Sequence, residues 1–174
     1  SQSSHYGTTT IEAKSGYGLS VDSEIKILQA TSSLDGIRQN VLSTWLGAHD
    51  FPKDKTASEY MDELIHEQLP LVAENDLAKW IDVFCEPGWF NLEQTETLVK
   101  NANDFGLKSR LHVDEFVDSG GLSLAAELGS CSADHVGFSN SDSRDKANKS
   151  GTMQVFLPGT PYVLGKDLGD GIKE

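Results

Sequence analysis

Apolar, strand-like runs alternate with helix-like stretches along the whole chain, and this alternation constrains the fold more than any other feature of the sequence. Short apolar runs separated by amphipathic stretches with caps and glycine stops read as βα units, whose strands pair in parallel. "GTTTIEAKS" is the first run, and "SEIKILQATSSL" reads as a helix capped at Asp22 or Ser23. "NVLSTWLGAHDFP" is a strand leaving through Pro52, and "SEYMDELIHEQLPLVAEN" is a long amphipathic helix. "WIDVFCEPGWF" is a buried strand closed by Pro87 and Gly88, followed by the helix "LEQTETLVKNANDFG" with its glycine stop. Then come a strand "KSRLHVDE", a short helix "GGLSLAAELG", a strand "SADHVGF", a polar helix or loop "SDSRDKANKSG" and a last strand "TMQVFLPGT". "PYVLGKDLGDGIKE" begins as another connection and stops there. No linker interrupts the series, so the expectation is one α/β domain of about six βα units.

The polar residues of these strands gather at their carboxyl ends: Lys14, Ser15 and Tyr17; His49; Glu86; His112 and Glu115; His135; Pro158 and Gly159. In α/β barrels and open parallel sheets alike, the loops at that end build the active site. Charge narrows the ligand. With 14 Lys and Arg against 27 Asp and Glu, the net charge of −13 repels phosphate backbones and anionic lipid. Nucleic acid and membrane surfaces are therefore poor partners, and a small molecule is the expected one. No run approaches the roughly 18 apolar residues of a membrane span. Cys85 and Cys131 lack metal or disulfide spacing and are expected to be free, buried thiols in a reducing cytoplasm.

His112 and His135 end two successive strands. Imidazole is the commonest protein ligand for zinc and iron, and neighbouring strand ends can bring two rings to one ion or one water. The alternative is a pair of hydrogen-bonded histidines that fix loops. Glu115 could contact a substrate N–H or take a proton from an attacking water, or it could cap the "GGLSLAAELG" helix. Asp114 could orient the His112 ring or stabilise its loop. His49 follows Gly47 at a strand end, and "KSGYGL" sets Tyr17 between two glycines in a way that exposes an aromatic hydroxyl over a cleft. No GxGxxG or other phosphate loop is present. Glu127, His5 and His66 read as surface residues and Glu86 as structural.

"GTTTIEAKSGYGL", "LGAH" followed by a proline, "DVFCEPGWF", "HVDEFVDSGGLSLAAELGSCSADHV" and "LPGTPY" stand in an order and spacing that resemble the imidazolonepropionase family of the amidohydrolase superfamily. The resemblance runs from about residue 7 to 166, and "KSGYGL" with "LAAELGSCSADH" is its most specific part. It implies a metal-dependent (β/α)8 TIM barrel that opens the ring amide of 4-imidazolone-5-propanoate, giving N-formimidoyl-L-glutamate in histidine degradation. It implies one zinc or iron ion and, as is usual for the family, a homodimer in the cytoplasm. Matched position by position, His112 takes the place of the fifth-strand metal ligand. His135 takes that of the histidine bonded to the attacking water, Glu115 that of the carboxylate contacting ring and water, and Tyr17 and His49 those of substrate-binding residues.

The departures are equally informative. No H-x-H pair occurs in these residues, and the family's last-strand aspartate motif is missing after "PYVLGK". The six strands then correspond to the second through seventh of the barrel. Residues 1–174 are expected to be the central part of the barrel domain, incomplete at both ends, inactive and prone to self-association alone. The rival expectations are an amidohydrolase acting on another cyclic amide or an amino-purine, and a non-catalytic remnant of one.

Overall fold

In the computed structural model, which describes residues 2–34 and 39–166, the expected alternation forms one six-stranded sheet curled as part of a barrel. After a short helix α1 (Gln2–His5) come β1 (Thr10–Lys14), α2 (Val21–Ser32), β2 (Asn40–Ala48), α3 (Ala57–Glu63), α4 (Leu69–Glu74) and β3 (Trp80–Cys85). They are followed by α5 (Leu92–Asp104), β4 (Lys108–Val113), α6 (Gly121–Glu127), β5 (Ser132–His135), α7 (Ser141–Ser150), β6 (Met153–Val155) and α8 (Gly159–Leu164). The strands lie in chain order and every neighbouring pair is parallel. Such a curled parallel sheet with intervening helices is an α/β, partial TIM-barrel fold. Residues 167–174, the end of the closing connection, lie outside the described residues.

Side-chain alternation divides each strand between two faces. Along β4, Ser109, Leu111 and Val113 are buried, while Arg110 and His112 between them are partly exposed. Leu111 and Val113 join the apolar layer that also takes in Leu28, Trp45, Tyr60, Leu69, Ile81, Phe90, Leu98 and Leu122. The other face carries the charged residues described below.

The helices start where their caps dictate. Thr56 and Glu59 form a reciprocal capping box at α3, as do Asn91 and Gln94 at α5. The polar stretch after β5 is a helix, capped by the Asn140 side chain and stopped by Gly151 at φ +81°. The sequence suggests one uninterrupted helix over 58–75, but a π-helical stretch, Leu64–Gln68, separates α3 from α4. Pro70 supplies the reason: it has no N–H for a carbonyl one turn back, and its ring crowds that turn, so the helix widens just before it. Helix α2 is also capped differently from the sequence expectation. Ser20 precedes it and makes no side-chain cap.

Gly121 opens α6 against the end of β4. A Cβ there would stand 2.6 Å from Val113 Cβ and 2.8 Å from its Cγ1, so the helix reaches the sheet only because this side chain is a hydrogen atom. Gly121→Ala is expected to destabilise the chain by about 1–3 kcal/mol, read as a lower urea midpoint. An unchanged midpoint would show that α6 can shift at no cost.

Candidate active site

The inner ends of β1, β3, β4 and β5 converge on a charged cluster. Asp82, from the middle of β3, is fully buried. One oxygen accepts from His112 Nδ1 at 2.9 Å and the other from Lys14 Nζ at 2.5 Å. Lys14 also reaches Asp134 at 3.2 Å and lies 3.6 Å from Glu12. Glu12 in turn accepts from Thr44 and Arg110. Register explains the assembly, since His112 pairs with Phe84 on one side and Asp134 on the other, and Asp82 pairs with Arg110.

Charge balance follows from this geometry. Burial works against a charged Asp82, but His112 and Lys14 outweigh it and hold the carboxyl below its usual range. Burial likewise opposes protonation of His112 and Lys14, yet Asp82 keeps both above their ordinary values. Asp82, His112 and Asp134 each place one ligand-type atom within 4.8 Å of the other two. Lys14 bonds one oxygen of each carboxylate, and His112 and Ser132 take the others, so the donor this cluster has left over is the second ring nitrogen of His112. A histidine whose Nδ1 is fixed by a buried carboxylate presents Nε2 in one tautomer and one orientation, which is how metal-ligating histidines are held. The residues present therefore fit a metal ion at one coordination position.

His135 lies beside His112, ring centroids 5.2 Å apart, and its Nε2 stands 3.4 Å from Glu115 Oε2. Burial and the neighbouring His112 push His135 down to about 4, so its ring is neutral at pH 7. Burial raises Glu115 above the usual carboxylate range, partly offset by His112. At neutral pH their contact is that of an uncharged imidazole with a carboxyl group. His135 ends β5 and Glu115 lies just past β4, both where the chain bends sharply: His135 and Val136 have φ of +75° and +48°, and Asp114 has +50°.

Asp114 has the loop role of its two sequence readings. Positive φ turns it out of the β4 alternation, and its carboxylate accepts from the N–H groups of Ser119, Gly121 and Leu122 and the hydroxyls of Ser119 and Ser139. The start of α6 is thus held by Asp114, which leaves Glu115 free to face His135. The residue that orients His112 is Asp82 from the neighbouring strand, which the sequence reading passed over. Its signal was a lone acid inside the otherwise apolar "WIDVFC": a buried carboxylate at such a position requires a partner.

Tyr17 and His49 also meet. Their rings pack edge to face with centroids 5.2 Å apart, and Tyr17 is 83% exposed at the mouth of the site. The loop is held by a residue not singled out from sequence, Glu24 of α2. Its buried carboxylate accepts the N–H groups of Gly16, Gly18 and Leu19, which ties the loop to the first turn of α2. Glycine is required beside Tyr17, because Gly16 has φ +108° and a Cβ would stand 2.7 Å from the Leu46 carbonyl oxygen. His49 Nδ1 lies 2.9 Å from Gly16 O. Aromatic contacts continue from His49 to Phe84, and from Phe84 to Trp89, Phe116 and His112. All five expected residues, Tyr17, His49, His112, Glu115 and His135, thus line one face of the sheet at its carboxyl end. One expectation fails: Cys131 is exposed, because it lies on the loop before β5, whereas Cys85 is buried as expected.

Fold and site together define an α/β partial barrel with a histidine–carboxylate centre at its strand ends, and solved structures share the fold. A Xaa-Pro dipeptidase matches 91% of this chain and 45% of its own at 18% identity with a TM-score of 0.65. The A. niger ochratoxinase matches 91% and 43% at 17% identity with a TM-score of 0.60. No family model matches the chain. Among curated proteins, the imidazolonepropionase of Thermoanaerobacter pseudethanolicus is 40% identical over 171 residues, 97% of this chain and 41% of its own length. That of Desulfotalea psychrophila is 43% identical over 167 residues, 93% and 40%. By this likeness the chain belongs to the imidazolonepropionase family, and it spans about two-fifths of the length of the curated relatives it matches.

Proposed function

We propose that this chain carries the β-strand-end site of an imidazolonepropionase, which hydrolyses the cyclic amide C–N bond of 4-imidazolone-5-propanoate to N-formimidoyl-L-glutamate in the cytoplasm. The observation that carries the reading is the His112 ring, fixed by buried Asp82 beside the His135–Glu115 pair, in a chain about 40% identical to proteins of that name. His112 would hold a zinc or iron ion through Nε2, and such an ion supplies the charge that lowers the pKa of water from about 16 to about 7.

The chain's own groups do the rest. His135, neutral at pH 7, can orient a water and accept its proton through a ring nitrogen. Glu115, 3.4 Å from His135 Nε2 and with a raised proton affinity, can take that proton from His135 and deliver it to the departing ring nitrogen. Tyr17 and His49 position the substrate at the mouth, and Phe84, Trp89 and Phe116 shield the reacting face from bulk water.

The test follows loss of imidazolone absorbance by the full-length gene product with and without a chelator. Turnover that disappears with chelator and returns with zinc or iron is expected. Metal-independent turnover, or none in metal-loaded protein, would overturn the reading. Tyr17→Phe is expected to raise KM about three- to tenfold, the value of one hydrogen bond. It should leave kcat and the melting temperature unchanged, because the ring is mostly in solvent; an unchanged KM would remove Tyr17 from the substrate site.

A further inference from the structure

Glu86 directly follows β3 and is only 2% exposed. One oxygen accepts the backbone N–H of Glu115, and the Phe116 amide next to it adds a weaker pull on the carboxylate. The other oxygen, Oε2, is buried and has no hydrogen-bond partner among the described residues. A buried carboxylate with an idle oxygen is costly, and an apolar residue would pack at that position more cheaply. The carboxylate's visible work is on the next loop. Asp114 cannot share it, since its oxygens are already taken by the α6 N-terminus and Ser139. The turn that delivers Glu86 is itself tied down: Gly88 has φ +98° and Trp89 N–H returns to the Glu86 carbonyl. Trp89 then packs on Phe116, ring centroids 5.9 Å apart. The β3 loop therefore grips the β4 loop twice, by carboxylate and by ring, on the two residues that set where the Glu115 side chain points.

We propose that Glu86 is a positioning residue for Glu115: by accepting the Glu115 amide it fixes the turn that aims the Glu115 carboxyl at His135. The consequence for turnover rests on the function proposed above; the structural hold does not.

The experiment compares Glu86→Gln, which keeps an acceptor oxygen of the same reach, with Glu86→Met, which keeps volume but accepts nothing. In the full-length gene product, Glu86→Met is expected to lower kcat about tenfold or more with KM within about threefold, since a small misplacement of a reacting group costs rate rather than binding. Glu86→Gln should recover kcat to within about threefold of the parent. In the 174-residue chain, amide hydrogen exchange at Glu115 and Phe116 should accelerate about tenfold or more in Glu86→Met and not in Glu86→Gln. Equal loss of kcat in both variants, or unchanged exchange in Glu86→Met, overturns the proposal. A parent protein inactive on imidazolone would sink the function instead, and the exchange comparison would still decide for or against Glu86.

Discussion

Lys14→Met is expected to destabilise the chain by about 3–5 kcal/mol at pH 7, the penalty for removing one partner from a buried ion pair. Lys14 meets three carboxylates, and two of them, Asp82 and Asp134, are buried. Methionine would fill the space of the stem but leave Asp134 without its cation and Asp82 with His112 alone. His112 would remain as the neighbour of Asp82, so the loss should fall toward the lower figure if the ring takes up the whole charge. The pH dependence gives a second reading of the same variant. In the parent chain, Asp82 is held below its ordinary carboxyl range, so its contribution is present above the unfolded value of about 3.9 and is lost as pH falls through its folded value. Without Lys14 that depression shrinks. The gap between parent and Lys14→Met should therefore be widest near neutrality and narrow toward acid pH as Asp82 takes up its proton. Urea midpoints at pH 7 and pH 4 measure both. A loss under about 1 kcal/mol at pH 7 would mean that solvent reaches the cluster and screens it. Adding Asp82→Asn to Lys14→Met should restore part of the stability, because it removes a buried charge that has lost one of its two cationic partners.

How much of this site the sequence revealed depended on whether a residue's role lay along its own strand. The six strands and their order were legible because apolar runs with polar carboxyl ends repeat in βα rhythm, and Tyr17, His49, His112, Glu115 and His135 were found by standing at those ends. Asp82 was hidden because its role comes from register. It sits in mid-strand, and only the pairing of β3 with β4 brings it to His112. Asp114 looked equally suited by the two-residue period, but its φ of +50° breaks the period at that residue. Glu24 and Glu86 bond to backbone N–H groups 5 to 29 positions away in sequence, and such contacts leave no periodic trace. Three buried carboxylates, Glu24, Glu86 and Asp114, thus hold the loops that present Tyr17, Glu115 and the start of α6. Residues that read as structural or ambiguous in the sequence are the supports of the ones that read as functional.

Two of the buried groups should give opposite pH dependences. Burial pushes Glu86 up to about 7, against the pull of the Glu115 and Phe116 amides, so between roughly pH 4.3, the ordinary glutamate value, and pH 7 the folded chain binds more protons than the unfolded one. Stability from this group is full below the lower bound and falls as pH rises. His135, pushed down to about 4, works the other way: from about 4 to its ordinary value near 6.5 the unfolded chain binds more protons, and stability rises with pH. The two slopes nearly cancel in the parent chain, which should show little change in stability from these groups between about pH 4.5 and 6.5. Glu86→Gln removes one slope and leaves the other. The stability of Glu86→Gln relative to the parent should therefore climb across the window from about pH 4.5 to 7, by about 3 kcal/mol in total for a shift of this size. The buried amide nitrogen that replaces Oε2 adds a cost of its own, but that cost does not change with pH, so the slope isolates the Glu86 proton. Urea midpoints of both chains at half-unit intervals give the curve. A pH-independent difference would mean that Glu86 ionises in the fold at its ordinary value, and that solvent or a partner reaches its idle oxygen.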